Sequence, residues 1–132
     1  MKLKTIAFFA GILMLGACGN EKQNPELLKG TDFSAIQNGV RITLSFDAEQ
    51  PRVHGKIVNR YNGAYEAEKD KIKFGPLMTT MMFGAEKDMS IEHDYFKFME
   101  KVESYELKDN KLRLKNSDGA EMIFDKSDST SE

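Results

Sequence analysis

The sequence predicts an α+β domain in which one helix packs on a curved antiparallel sheet. Three predicted hairpins, each an apolar alternation broken by a polar turn, indicate the sheet. One later segment carries apolar residues at helical spacing instead. Because strands precede and follow that segment, we expect the helix to close one side of the sheet.

The strands are predicted from residues that alternate between apolar and polar. Residues 40–46 place four apolar side chains on one face, and residues 53–58 form a second, less regular strand. The three hairpins turn at residues 68–71, at Asp109-Asn110 and at Asp118-Gly119. The last of these turns leads into a final strand over residues 122–124.

The helix is predicted from apolar residues spaced by three and four, over about three turns. These residues are Ile91, Tyr95, Phe98, Met99 and Val102. Asp88 or Ser90 is expected to cap its amino end, and Glu92 to lie in the first turn, where the helix dipole favours a carboxylate.

The amino terminus has the layout of an export signal. Two lysines precede an uncharged run over residues 6–15, which is shorter than the roughly 20 apolar residues of a membrane-spanning helix. Leu15-Gly16-Ala17-Cys18 looks like a lipobox, and Cys18 is the chain's single cysteine. We therefore predict cleavage before Cys18 and a lipid anchor on it. An ordinary signal peptide with a leftover cysteine and an uncleaved anchor are the alternatives.

These features divide the chain into four parts. Residues 1–17 are predicted to be a signal peptide, 18–26 the lipidated cysteine and a flexible tether, 27–126 one domain, and 127–132 a disordered tail. Gly19, not Asp, follows the cysteine, which under the enterobacterial sorting habit implies an outer membrane facing the periplasm.

The charge of the chain argues against a nucleic-acid partner. The formal charge is −2, and loss of Lys2 and Lys4 with the signal peptide makes it −4. A weakly acidic protein gains little from a phosphate backbone. Because acidic and basic residues are mixed along the sequence, no basic patch for anionic lipid heads is predicted.

Two motifs stand out, the first over residues 55–65 and the second over residues 73–82. Their distinctive residues are Gly55, Asn59, Arg60, Tyr61, Gly63 and Tyr65, then Gly75, Pro76, Thr80 and Met82. In this order the two motifs resemble the signatures of the META domain, the family of the heat-shock lipoprotein HslJ. The resemblance covers Leu27 to Lys126. It implies an antiparallel sheet curled into an incomplete, cracked barrel with one main helix across the opening.

The motif residues are interpreted mainly as fold determinants, because Gly suits turns and close approaches and Asn can bond nearby backbone. The sequence also departs from the family. Many members carry cysteines where Val58 stands and near Gly84, in what the resemblance implies is a disulfide. Many also carry arginine where Met81 stands, so any partner role of that arginine is in question here.

No catalytic chemistry is predicted. His54 and His93 lack a third histidine or cysteine to complete a metal site with Glu92 or Asp94, and no nucleophile elbow is present. We expect neither a metal nor another cofactor, and no enzyme activity.

The run Met78-Thr79-Thr80-Met81-Met82 has three readings. Core packing beside the helix is favoured, with one or two of these methionines buried. A partner surface, enlarged by Phe83, and a copper(I) site are the alternatives.

The expected function is that of a non-enzymatic binding or structural lipoprotein. As a META-like protein it is expected to be held at the membrane by its lipid and to act in envelope maintenance or stress tolerance by binding a protein or another envelope component. The alternative is a carrier that binds a lipid or a small apolar ligand within the cracked barrel, because lipid-binding secretion pilot lipoproteins have a similar barrel. A carrier needs an apolar cavity on the order of 300 Å³ or more.

Overall fold

The computed structural model of the protein describes residues 22–127. The predicted signal peptide, Cys18 and residues 128–132 lie outside this range. A 3-10 turn (Pro25–Leu28) comes first, and one α-helix, α1 (Glu86–Glu100), lies between the sixth and seventh strands of the described chain. The strands are β1 (Asp32–Gln37), β2 (Val40–Phe46), β3 (Arg52–Lys56), β4 (Arg60–Glu68), β5 (Lys71–Phe74), β6 (Met78–Thr79), β7 (Val102–Lys108), β8 (Lys111–Asn116) and β9 (Glu121–Lys126).

The sheet is a closed barrel. Its eight wall strands follow the order β3-β2-β1-β9-β8-β7-β5-β4, and β4 pairs back with β3 through five residue pairs, from Arg52↔Ala64 to Lys56↔Arg60. The predicted α+β class with an antiparallel sheet is confirmed, but the expected crack is wrong. It is absent because β3 pairs with both β2 and β4 and so joins the two edges.

The helix lies across one end of the barrel, which we call the helix end. Near its start, Lys87 Nζ donates to the carbonyl of Asn38 in the β1–β2 turn (3.3 Å). Just after its last residue, Lys101 is bonded to Ser117 and Asp118 in the β8–β9 turn. A helix of 15 residues spans about 22 Å, enough to cross the opening.

The helix differs in detail from its prediction. It begins two residues before Asp88, and its N-cap, Ala85, makes no side-chain bond. Phe98 is only half-buried, and Val102 belongs to β7. Ile91, Glu92, Tyr95 and Met99 are the buried residues of the helix. Glu92 is therefore an inward-facing group of the second turn, and not a surface carboxylate in the first.

The other end, which we call the tether end, is covered by the amino-terminal segment. Leu28, in the 3-10 turn, is fully buried in the core, and the Gly30 amide donates to the carbonyl of Phe46 (3.0 Å). Gln23 Oε1 accepts a bond from the Leu107 amide (2.9 Å). The ordered contacts therefore begin inside the region predicted as a flexible tether, because Leu28 supplies apolar area that the open barrel end would otherwise expose.

The three hairpins and the strand over residues 40–46 are confirmed. Two strands were not predicted. β1 buries only Phe33 fully and exposes Ile36, so it lacks a clear alternation. β6 has only two residues. The Asn38-Gly39 pair was an available sequence signal for β1, because Asn-Gly is typical of two-residue hairpin turns. In the structure both residues have the positive φ that such turns require (51° and 83°).

The barrel interior is filled by side chains. Aromatic rings meet at centroid distances of 5.1 Å for Phe46 and Tyr65 and 5.5 Å for Tyr61 and Tyr95. Leu44, Leu112 and Phe124 have no exposed surface. No helix within residues 22–127 is long and apolar enough to cross a bilayer.

Candidate functional site

Asn59 and Glu92 form a buried polar cluster at the helix end. Glu92 Oε1 accepts bonds from the amides of Val58 (3.0 Å) and Asn59 (2.7 Å), and its Oε2 accepts one from Asn59 Nδ2 (2.8 Å). Both residues are nearly inaccessible to solvent, with exposed fractions of 3% for Asn59 and 5% for Glu92. A buried carboxylate needs such donors. The cluster therefore ties α1 to the connection between β3 and β4.

The same asparagine holds the chain that follows β6. Its Oδ1 accepts bonds from Thr80 Oγ1 (2.9 Å) and from the Met82 amide (2.6 Å), and its Nδ2 also donates to the Met82 carbonyl (3.3 Å). The Thr80 amide donates to the Arg60 carbonyl (3.0 Å). Four motif residues, Asn59, Arg60, Thr80 and Met82, thus fix one loop by backbone and side-chain bonds.

That loop exposes large apolar side chains, and we call residues 78–83 the apolar loop. The exposed fractions are 68% for Met78, 90% for Met81, 58% for Met82 and 97% for Phe83. The favoured expectation of core packing is wrong for these methionines. Met78 pairs with Asn62, which faces outward, and the other two follow the end of the strand.

Tyr61 explains the first motif glycine. Its hydroxyl donates to the Thr43 carbonyl (2.6 Å) and lies 2.6 Å from the Tyr95 hydroxyl, so Tyr95 is the donor of that second bond. A Cβ on Gly55 would lie 2.1 Å from the Thr43 carbonyl oxygen. Gly55 is therefore required by this close approach. Burial raises the pKa of Tyr61 and Tyr95 well above the usual range, so both phenols stay neutral.

The second motif lies against the other glycine of the first. A Cβ on Gly63 would lie 2.7 Å from Leu77 Cδ2 and 2.9 Å from the carbonyl of Pro76, whose own side chain is exposed. Gly75, by contrast, has only the Ala64 carbonyl oxygen at 3.7 Å. The chain from Pro76 to Leu77 thus crosses β4 where β4 has no side chain. Tyr65 is buried against Phe46 and Phe74.

Val58 and Gly84, where many family members carry cysteine, are neighbours in space. A Cβ built on Gly84 would lie 3.0 Å from Val58 Cγ1. The contact joins the β3–β4 connection to the chain just after the apolar loop. In this protein a van der Waals contact thus stands where the resemblance implies a covalent bond.

The remaining candidate groups are dispersed. The lipobox residues Leu15, Gly16, Ala17 and Cys18 lie outside the described residues. His54 on β3 and His93 on α1 are both exposed. Among residues 22–127, no three His, Cys, Asp or Glu side chains converge in a way that could hold a metal ion.

The main concavities are surface grooves. One of about 820 Å³ lies on the outer wall of β2, β3 and β4, with Arg41, Lys56 and Arg60 in its lining. Another, of about 610 Å³, is lined by Glu66, Lys73, Glu103 and neighbouring residues. Charged side chains line both grooves, which therefore differ from the apolar cavity that a lipid carrier requires.

Two members of this site were not predicted in their observed roles. Glu92 was assigned to the helix dipole, and Tyr95 only to the core. A signal for Glu92 was its place one residue after Ile91 on the apolar face, where a carboxylate needs buried donors. The partner hydroxyl of Tyr61 has no local signal, because the two tyrosines meet only through the fold.

Comparisons with known proteins agree with this architecture. The family model of the META domain matches residues 25–129. No curated protein matches the chain. An NMR structure of a protein from Burkholderia xenovorans is 24% identical, covering 79% of this chain and 88% of that one, with a TM-score of 0.64.

Two further solved structures share the fold. A second NMR structure is 18% identical over 78% of this chain and 94% of that one, with a TM-score of 0.61. The crystal structure of a DUF4847 family protein from Bacteroides vulgatus is 18% identical over 66% and 61%, with a TM-score of 0.50. At such identities these likenesses show the fold alone. Since the family model covers most of the chain, the protein belongs to the META domain family.

Proposed function

We propose that this protein is a lipid-anchored envelope lipoprotein whose META domain binds an apolar surface of an envelope protein through the apolar loop. The observation that supports this most strongly is Phe83, exposed at 97% beside the exposed Met81 and Met82. Large apolar side chains clustered on a surface are typical of interaction sites. Methionine and phenylalanine are also enriched at protein interfaces.

The bonds beneath the loop favour binding over mere exposure. Asn59 bonds to both the backbone amide and the backbone carbonyl of Met82, and Thr80 Oγ1 donates to the side-chain oxygen of Asn59. A loop that is already ordered loses less conformational entropy when a partner binds. The buried cluster of Asn59 and Glu92 therefore acts as a support for the exposed side chains.

The direction of the tether favours a protein partner over the bilayer. Gln23 is bonded to Leu107 at the tether end, five positions after Cys18, so the linking chain spans at most about 17 Å. β4 alone has nine residues and is about 30 Å long. A lipid on Cys18 therefore holds the tether end near the membrane and directs the apolar loop away from it.

The carrier alternative gains no such support. The helix covers one barrel end, the 3-10 turn covers the other, and buried side chains fill the space between them. The proposed location, the outer membrane with the domain facing the periplasm, rests on Gly19 after the lipidated cysteine. The proposed part in envelope stress tolerance rests on the family. No catalytic step enters the proposal.

Photo-crosslinking in the native envelope tests the proposal. A photoreactive amino acid replaces Phe83 in the full chain, and the matched position is Ile123, which is 47% exposed on β9. We expect one discrete protein adduct from position 83 and none of that size from position 123. The purified adduct partner is then titrated against the wild type, against Met81→Ser/Phe83→Ser and against Ile36→Ser/Ile123→Ser.

The loop variant should bind that partner at least tenfold more weakly, and the control pair should bind it as the wild type does. Crosslinks from position 83 to lipid or to a second copy of this chain would contradict the proposal. So would equal affinity of all three proteins.

A further inference from the structure

Outward-facing side chains on three adjacent strands form a surface that we call the basic wall. Because side chains alternate along a strand, each of β2, β3 and β4 presents one row outward. The rows that make up the basic wall are Arg41, Thr43 and Ser45 on β2, Arg52, His54 and Lys56 on β3, and Arg60, Asn62 and Ala64 on β4. None of these nine residues is acidic. Toward the tether end the outward row of β4 continues beyond the wall into Glu66 and Glu68.

The opposite wall of the same barrel is different. On β8, Lys111 is paired with Asp125 of β9, and Arg113 with Glu106 of β7 and Glu121 of β9. None of the ion pairs within residues 22–127 involves a cation of the basic wall. The cations of this wall are therefore free of ion pairs within the described residues, although the chain as a whole carries −2.

The basic wall contains the groove of about 820 Å³. β2 and β3 share only two residue pairs in the backbone ladder, Ser45↔His54 and Phe46↔Val53. Beyond them the Lys56 amide donates to Thr43 Oγ1 (2.8 Å), and Gly55 adds no side chain to the floor. The groove thus offers hydroxyl groups at its base and cations along its rim.

The acidic groups near the groove lie toward the tether end. Asp32 lines it there. Asp47, in the β2–β3 turn, accepts bonds from the amides of Glu49 (2.9 Å) and Gln50 (2.8 Å). Arg41, Lys56 and Arg60 line the half toward the helix end, and Lys56 and Arg60 are direct cross-strand partners. Three cations therefore converge on one half of the groove.

We propose that this half of the groove binds the phosphate group of an organic phosphate, either a phosphorylated lipid headgroup or a soluble phosphate compound. Two guanidinium groups and an ammonium group match a phosphate in charge, and guanidinium donors match its oxygens in geometry. The groove has the volume of a small-molecule site. This site is separate from the apolar loop, and it does not depend on the proposed protein partner.

The basic wall also corrects an expectation from the sequence. Acidic and basic residues are mixed along the chain, so no basic patch was predicted. The fold groups the cations, because residues 52–56 of β3 pair with residues 60–64 of β4, whereas Glu66 and Glu68 continue the outward row of β4 beyond that pairing.

Calorimetric titration of the full chain in phosphatidylcholine nanodiscs tests the site. The probes are inorganic phosphate, glycerol phosphate and dihexanoylphosphatidic acid, at about 50 mM salt so that screening stays weak. Triglutamate is the acidic peptide control. The variants are Arg41→Gln/Lys56→Gln/Arg60→Gln and a control with the same charge change at exposed lysines elsewhere, Lys97→Gln/Lys108→Gln/Lys115→Gln.

We expect phosphate probes to bind the wild type and the control equally and to bind the wall variant at least tenfold more weakly. The Gly55 amide NMR signal of the wild type should shift on addition of phosphate, which gives a second readout that needs no variant. Tighter binding of dihexanoylphosphatidic acid than of inorganic phosphate would assign the site to a lipid headgroup, and equal binding to the phosphate group alone.

Three results would overturn the proposal. They are no binding of any phosphate probe to the wild type, unchanged binding to the wall variant, and binding of triglutamate as tight as that of the phosphate probes.

Discussion

At Gly55 the fold leaves no room for a side chain, since the Thr43 carbonyl and the Tyr61 hydroxyl meet where a Cβ would lie. At Gly63 the crossing chain of Pro76 and Leu77 occupies that space. Gly75 has no such neighbour. Close contacts therefore explain why glycine is required at Gly55 and Gly63, but they do not explain the glycine at Gly75.

Substitution of Gly55 by alanine should destabilise the protein by about 2–4 kcal/mol, because the methyl group overlaps backbone and breaks the bond from Tyr61 to Thr43. Gly75→Ala, the matched control, should change stability by no more than about 0.5 kcal/mol. Urea unfolding of the two variants measures the difference. Equal effects of the two substitutions would refute the assignment of Gly55.

Asn59 shows what a single residue can and cannot reveal from sequence. Its type and its place in the motif indicate that it bonds nearby backbone. Its actual partners, Glu92, Thr80 and Met82, are 21 to 33 positions away. No local pattern contains such partners, so the family resemblance pointed to the residue but not to the contacts.

At the scale of the element, period-two patterns predicted the hairpins well, because each strand has one face in the core. They failed for β6, since a strand of two residues has no period. They also could not predict the exposure of the methionines that follow it. Their environment depends on pairing between Asn62 and Met78, a contact between separate strands.

The contact between Val58 and Gly84 can be made covalent. In a Val58→Cys/Gly84→Cys variant the new sulfur at position 58 lies near the position of Cγ1, which is 3.0 Å from the Cβ built on Gly84. We expect a disulfide to form with little movement. It should stabilise the oxidised protein by up to about 3.5 kcal/mol for a loop of this length.

Peptide mass spectrometry identifies that bond, and thermal melting with and without reductant measures its effect. Val58→Cys alone is the control and should show no response to reductant. Free thiols at both positions under oxidising conditions would contradict the geometry.

At the scale of the whole molecule, buried phenols link stability to alkaline pH. Burial raises the pKa of Tyr105 to about 12 and also raises the pKa of Tyr61, Tyr65 and Tyr95. A raised folded-state pKa means that the folded protein holds the proton more tightly. The stabilisation is therefore complete below the unfolded value near 10 and is lost as the pH rises toward the folded values.

Melting temperatures measured from pH 8 to 11.5 should hence be constant at first and fall above about pH 10. Tyr105→Phe should reduce the slope of that fall. At pH 8 it should cost little, because the buried Tyr105 hydroxyl has no hydrogen-bond partner among the described residues. A melting temperature that stays level up to pH 11.5 would show that the phenols ionise as freely in the folded state as in the unfolded state, and would contradict the prediction.

Some functional features of the whole molecule could be predicted from the sequence, and others could not. The signal layout and the lipobox are local, so an anchor at Cys18 is predicted from the sequence alone. The basic wall and the direction of the apolar loop relative to the tether depend on barrel closure and strand register. These are set by pairing between distant strands, which local sequence patterns do not reveal.

Metabolic labelling with palmitate tests the anchor, on which the orientation of the domain depends, most directly. We expect label to enter the wild-type chain and not Cys18→Ala, and we expect the mature wild-type protein to begin at Cys18 in the membrane fraction. Label in the Cys18→Ala protein, or a soluble wild-type chain that retains residues 1–17, would contradict a lipid anchor at Cys18.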